Sequence, residues 1–117
     1  MHLPNAHNAV VPKEKIVDYL LNPMHPDGAG KAAFFLALGF SVVNWSVFAD
    51  ALTSLANDSV NVTPSHSPFG EKFVVDGELI TPCGKMPFVR TVWIVDVGEE
   101  ILRLVTAYPY EPRDEDV

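Results

Sequence analysis

The hydrophobic positions change period half-way along the chain. Up to residue 59 they recur at helical spacing, and after Ser59 they alternate. Ile16, Tyr19 and Leu20 fall at i, i+3 and i+4, which predicts a first helix over residues 13–21. Pro12 suits its first turn, and Asn22-Pro23 stops it. Phe34, Phe35 and Leu38 give a second helix over 28–38 a broad apolar face, with Asp27 as N-cap and Gly39-Phe40 as its end. Asn44 caps a third helix over 45–57, whose Trp45, Phe48, Leu52, Leu55 and Ala56 follow the 3.6 period.

In the second half, residues 60–63 read as a short strand and Pro64 to Pro68 as a loop. Lys72–Val75, Asp76-Gly77 and Glu78–Thr81 read as a hairpin around a type I′ turn. Val89–Val97 and Ile101–Tyr108 are longer strands joined at Gly98-Glu99. That turn pairs 95 with 102, 93 with 104 and 91 with 106, so Thr91, Trp93, Val95, Leu102, Leu104 and Thr106 share the face toward the helices. The class is α+β: three N-terminal helices packed on an antiparallel sheet of four to five strands. One domain over residues 1–110 and an acidic disordered tail over 111–117 complete the organisation.

Charge sharpens this picture. The 117 residues carry 15 acids against 8 Lys and Arg, a net charge of −7. Glu111, Asp114, Glu115 and Asp116 against Arg113 contribute −3, leaving −4 over residues 1–110. So acidic a chain is no DNA- or RNA-coating protein, since that affinity comes from many cations on phosphates. It leaves room for a small site that handles one phosphate. No apolar run reaches a membrane span and no secretory leader is visible, which makes the cytoplasm the expected compartment. Cys83 is the sole cysteine, so neither an intramolecular disulfide nor a thiolate zinc site can form, and the four histidines lack ligand spacing; neither a metal nor a cofactor is expected.

The segment with the most chemistry is His25-Pro26-Asp27-Gly28-Ala29-Gly30-Lys31. The start of a helix leaves backbone N–H groups free, and small residues let an anion approach them. Gly28, Ala29, Gly30 and Lys31 therefore form the candidate anion site, with His25 as acid or base beside it. It is not a Walker A loop, because a helix precedes it and Ala32 follows the lysine. Arg90 is a candidate phosphate clamp and Thr106 a hydroxyl that orients a phosphate oxygen. His66, Arg103 and Tyr108 are accessory candidates, the first as a second proton carrier and the last as a stacking ring. The aromatic residues at core periods are read as packing, not as a nucleobase platform.

Several motifs occur together: Leu3-Pro4-Asn5-Ala6, Tyr19-Leu20-Leu21-Asn22 with His25-Pro26, Gly30-Lys31-Ala32, Gly39-Phe40, Pro82-x-Gly84, Val92-Trp93 and Leu104-Val105-Thr106-Ala107-Tyr108-Pro109. In this the chain resembles a bacterial family of small single-domain proteins of unknown function, over about residues 3–110. The resemblance implies kinship with domains of toxin–antitoxin loci and the C-termini of polymorphic toxins. By fold-level analogy, helices followed by an antiparallel sheet are the arrangement of the barnase, EndoU, colicin-ribonuclease and RelE group. That analogy implies a metal-independent endoribonuclease with His25, Lys31, Arg90 and Thr106 as its catalytic set. Two alternatives stand beside it: an acidic antitoxin- or immunity-type module that binds a cognate protein, and a non-catalytic phosphate- or nucleotide-binding domain.

Overall fold

A computed structural model describes Leu3 and residues 5–110; the acidic tail over 111–117 lies outside the described residues. A 3-10 turn over Ala6–Asn8 leads into the first helix, α1. It starts with one α-helical turn, Lys13–Lys15, and widens into a π-helix over Ile16–Leu20, where the Leu21 N–H donates to Ile16 O at 2.8 Å. The second helix, α2, spans Ala29–Ala37, and the third, α3, spans Trp45–Asp58. Four strands follow: β1 (Asn61–Ser67), β2 (Gly70–Glu78), β3 (Phe88–Asp96) and β4 (Leu102–Pro109). They form one antiparallel meander in the order β1-β2-β3-β4.

The class is therefore α+β, with three helices and a four-stranded antiparallel sheet. The third helix runs to the middle of the chain, so the helices are not all N-terminal. No fifth strand is present among the described residues. In its place Val10 makes a single parallel bridge to Arg103, with Val10 N–H on Leu102 O and Leu104 N–H on Val10 O. That bridge covers part of the exposed β4 edge.

The helices pack on one sheet face. Ile16, Leu20, Phe35, Phe48 and Leu52 meet Val75, Val89, Trp93, Leu102 and Leu104 there, all of them buried. The indole of Trp93 donates to Thr91 Oγ1 at 2.8 Å, and Thr91 in turn donates to Val75 O at 2.8 Å, so the buried polar groups are satisfied.

Three sequence expectations are corrected. Asp76-Gly77 is not a turn: both residues lie inside β2, opposite Arg90 and Val89. α3 packs closely here, for a Cβ on Gly77 would stand 3.2 Å from Leu55 Cγ. Pro64–Ser67 is not a loop but part of β1, and the reversal falls at Pro68-Phe69 instead. Its proline is tolerated because β1 is an edge strand. The third concerns β4. The predicted pairs Val95–Leu102 and Trp93–Leu104 occur, but a bulge follows, so Val92 faces Thr106 and Thr91 faces Ala107. One extra residue, Val105, shifts every later side chain by one position. Ala107 takes the buried place expected for Thr106.

Candidate functional site

The bulge places Thr106 within reach of α1, and its Oγ1 lies 2.9 Å from the Tyr19 hydroxyl. Tyr19 stands on the π-helical segment, a backbone form that recurs at functional sites because it re-aims a side chain. Around its ring three further groups gather. The His25 imidazole meets it edge-on with centroids 4.9 Å apart. The Lys31 and Lys15 ammonium groups lie 5.2 and 5.4 Å from the ring centre.

The loop between α1 and α2 is shaped against the same tyrosine. A Cβ on Gly28 would lie 2.6 Å from Tyr19 O and 2.9 Å from its ring, so only glycine fits. Gly28 also occupies the N-cap expected for Asp27, and no side chain caps α2. The amides of Gly28 and Ala29 donate to His25 O at 3.2 and 3.1 Å. They are no longer open to an anion, which narrows the candidate anion site to Gly30 and Lys31. Lys31 Nζ donates to Asp27 O at 3.1 Å, which holds the ammonium beside the loop.

The Asp27 N–H donates to His25 Nδ1 at 3.0 Å. In the neutral ring the proton then sits on Nε2, which leaves His25 an N–H donor there. Burial alone would raise the Tyr19 phenol. The Lys31 and Thr106 hydrogen-bonding groups, with the charges of Lys31 and Lys15, outweigh it and hold the phenol below the ordinary tyrosine range. The cluster thus combines an acidified hydroxyl, a second hydroxyl, two cations and an imidazole donor.

The other candidates lie elsewhere. Arg90 binds Asp76 through two bonds, Nε–Oδ1 at 2.8 Å and Nη2–Oδ2 at 2.9 Å, and stacks 4.1 Å from the Tyr110 ring centre. Asp76 first, against burial, and then Tyr108 raise its guanidinium above the ordinary arginine range. Tyr108 is its cross-strand neighbour. Arg103 is bound to Asp96 in the same two-bonded way, at 2.6 and 2.9 Å. His66 stands on β1, the edge opposite β4, with Nδ1 3.7 Å from Glu71 Oε1. At roughly 4.8 Å per strand it is about 14 Å across the sheet from Thr106.

His25, Lys31 and Thr106 are brought together, and Arg90, His66, Arg103 and Tyr108 are not part of that cluster. Tyr19 and Lys15 are the residues that sequence reasoning assigned no site role. Tyr19 reads as one more apolar period position, and only its hydroxyl, which must find a partner when covered, marks it out. Among the described residues no group of three or more His, Cys, Asp or Glu could hold a metal ion. No helix there is long and apolar enough to cross a membrane.

A family model, Domain of unknown function (DUF6883), matches residues 2–111. The chain belongs to this family. Its fold is similar to that of a solved chain of a contact-dependent growth inhibition toxin–immunity protein complex from Klebsiella pneumoniae 342. The TM-score is 0.70 at 20% identity, over 87% of this chain and 100% of the other. At that identity the likeness shows the fold alone. No curated protein matches the chain.

Proposed function

We propose that this DUF6883 domain is a metal-independent endoribonuclease of toxin type, with its reaction centre at Tyr19, His25, Lys31 and Thr106. One observation carries the reading: three residues named for phosphate chemistry from sequence gather on a fourth whose phenol is acidified. Cleavage by the neighbouring 2′-hydroxyl needs a proton carrier, donors to the phosphate oxygens and cations for the charge that develops. Tyr19 carries the proton, with Thr106 fixing its hydroxyl. His25 offers Nε2–H to a non-bridging oxygen, while Lys31 and Lys15 offset the growing negative charge. The 2′-oxygen bonds phosphorus as the P–O5′ bond breaks, and its proton passes by way of the Tyr19 hydroxyl to the departing 5′-oxygen, which leaves a 2′,3′-cyclic phosphate and a 5′-hydroxyl end. The similar fold comes from a toxin–immunity protein complex, which is compatible with a toxin and equally with an immunity protein.

The test is incubation with total RNA and transfer RNA in the presence of a chelator. Wild type is expected to cut, and Tyr19→Phe and His25→Ala to lose most of the activity. No cleavage by wild type, or equal cleavage by all three, overturns the reading. A nucleotide that raises the melting temperature without being consumed would instead mark a non-catalytic binding domain.

A further inference from the structure

A second region, apart from the Tyr19 cluster, has the make-up of an interface. Between α3 and the end of β2 lies a cleft of about 390 Å³, floored by Ala51 and Leu55 and walled by Ile80, Met86 and Phe88. A second cleft of about 330 Å³ continues it past Ala51 and Ile80 to Val47. Val47, Ile80, Met86 and Phe88 are 47%, 61%, 53% and 38% exposed. Single apolar residues on a surface are ordinary, but a contiguous group along a groove marks a place where something binds.

The charged groups of this groove, among the described residues, are of one sign. Asp58, Asp76 and Glu78 line the first cleft and Asp50 the second, and no Lys or Arg among the described residues lines either. Asp76 is neutralised by Arg90. Asp50, Asp58 and Glu78 have no ion-pair partner among the described residues. Lys85, in the adjoining loop, lines neither cleft.

We infer that this groove docks a second protein through a segment bearing apolar anchors flanked by Lys or Arg. The apolar floor supplies the buried area, and the carboxylates select the sign of the partner and speed its approach. A second copy of this chain is disfavoured as occupant. It carries −7 itself, and a two-fold contact through the groove would set Asp50, Asp58 and Glu78 against their own kind. None of Tyr19, His25, Lys31 or Thr106 lines the groove, so the inference does not rest on the ribonuclease reading.

The test is a nuclear magnetic resonance titration of the full chain with a synthetic amphipathic helical peptide of Leu and Lys. Two control peptides carry Glu for Lys or Ser for Leu. Saturable shifts centred on Ala51, Ile80 and Met86 are expected with the Leu/Lys peptide, at least about tenfold weaker with either control. Ile80→Glu, and separately the milder Met86→Ser and Glu78→Lys, should weaken binding, while Tyr19→Phe binds as wild type. Shifts scattered over the surface, equal binding of the Ser control, or binding unchanged in all three groove variants overturns the inference. So does a wild-type dimer in sedimentation that Met86→Ser dissolves, because the occupant is then a second copy.

Discussion

Of the three aromatic rings that carry a cation among the described residues (Trp45, with Lys13, is the third), Tyr110 and Tyr19 differ in what else the cation holds. At Arg90 the guanidinium stacks on Tyr110 and is bound at both ends of its fork by Asp76. At Tyr19 two ammonium groups approach the ring, and neither has an ion-pair partner among the described residues. All five lysines are without an ion-pair partner among the described residues, so what marks Tyr19 is that two of them meet on one ring. A paired guanidinium has its charge and its planar donor geometry committed to a carboxylate, which ties two strands together. An unpaired ammonium keeps its charge for an incoming phosphate. The same pairing of residue types is therefore structural at one site and open for chemistry at the other.

The largest expected effect tests this contrast directly. Removing the phenol oxygen with Tyr19→Phe should lower RNA cleavage by about 10²–10⁴-fold, the span of a lost proton-transfer group. The melting temperature should change little, because the ring and its packing stay. Breaking the other site should do the reverse. Asp76→Ala removes two charge-assisted bonds to a partly buried guanidinium and should cost about 1.5–3 kcal/mol in denaturant unfolding, with cleavage kept below the transition. If Asp76→Ala abolishes cleavage in a folded protein, Arg90 belongs with the reaction centre and the contrast fails.

The contrast was only partly legible in the chain. The helices, the long strands and the first two β3–β4 pairs follow from periodicity, since a buried face imposes its period on the side chains that fill it. The site was legible at His25 and Lys31, where small residues precede a lysine at a helix start. Thr106 was legible as a candidate but its placement was not, because a bulge leaves no mark in an alternating strand. Extrapolating the alternation past Leu104 put Thr106 under the helices, and Ala107 is there instead. Arg90 was misplaced for a related reason. By local sequence its partner Asp76 falls in a turn, whereas the ladder sets it directly across from Arg90. Asp-Gly favours a type I′ turn locally, but the ladder to β3 and the close approach of Leu55 to Gly77 decide the matter through tertiary contacts.

A smaller effect is expected at Gly28, where the two loop functions meet. Gly28→Ala adds a methyl group against Tyr19 O and the Tyr19 ring. Relieving that contact must move either α2 or Tyr19, at about 1–3 kcal/mol of stability. Cleavage should fall as well, because the displaced ring carries its hydroxyl away from Thr106. A Gly28→Ala protein that is destabilised yet fully active would show that the Tyr19–Thr106 bond is not needed for the reaction.

The smallest effect is a titration, and it isolates the charges from the packing. Burial raises the Tyr19 phenol, while Lys31, Thr106 and Lys15 lower it by more. Ultraviolet difference titration should show a tyrosine step below the ordinary tyrosine range that is absent in Tyr19→Phe. Lys31→Ala should move that step upward, and Lys15→Ala should move it upward by less, since Lys15 acts only through its charge. The sign for stability follows from linkage. A phenol depressed in the folded state favours folding once it ionises, so its contribution is absent below the folded value. It grows as pH rises through the folded value and is complete above the unfolded value near 10. Wild type should therefore gain stability relative to Tyr19→Phe only on the alkaline side, and Lys31→Ala should remove most of that gain. A difference already full at neutral pH would trace the effect to the neutral Tyr19–Thr106 hydrogen bond, and the two lysines would then have no role in tuning the phenol.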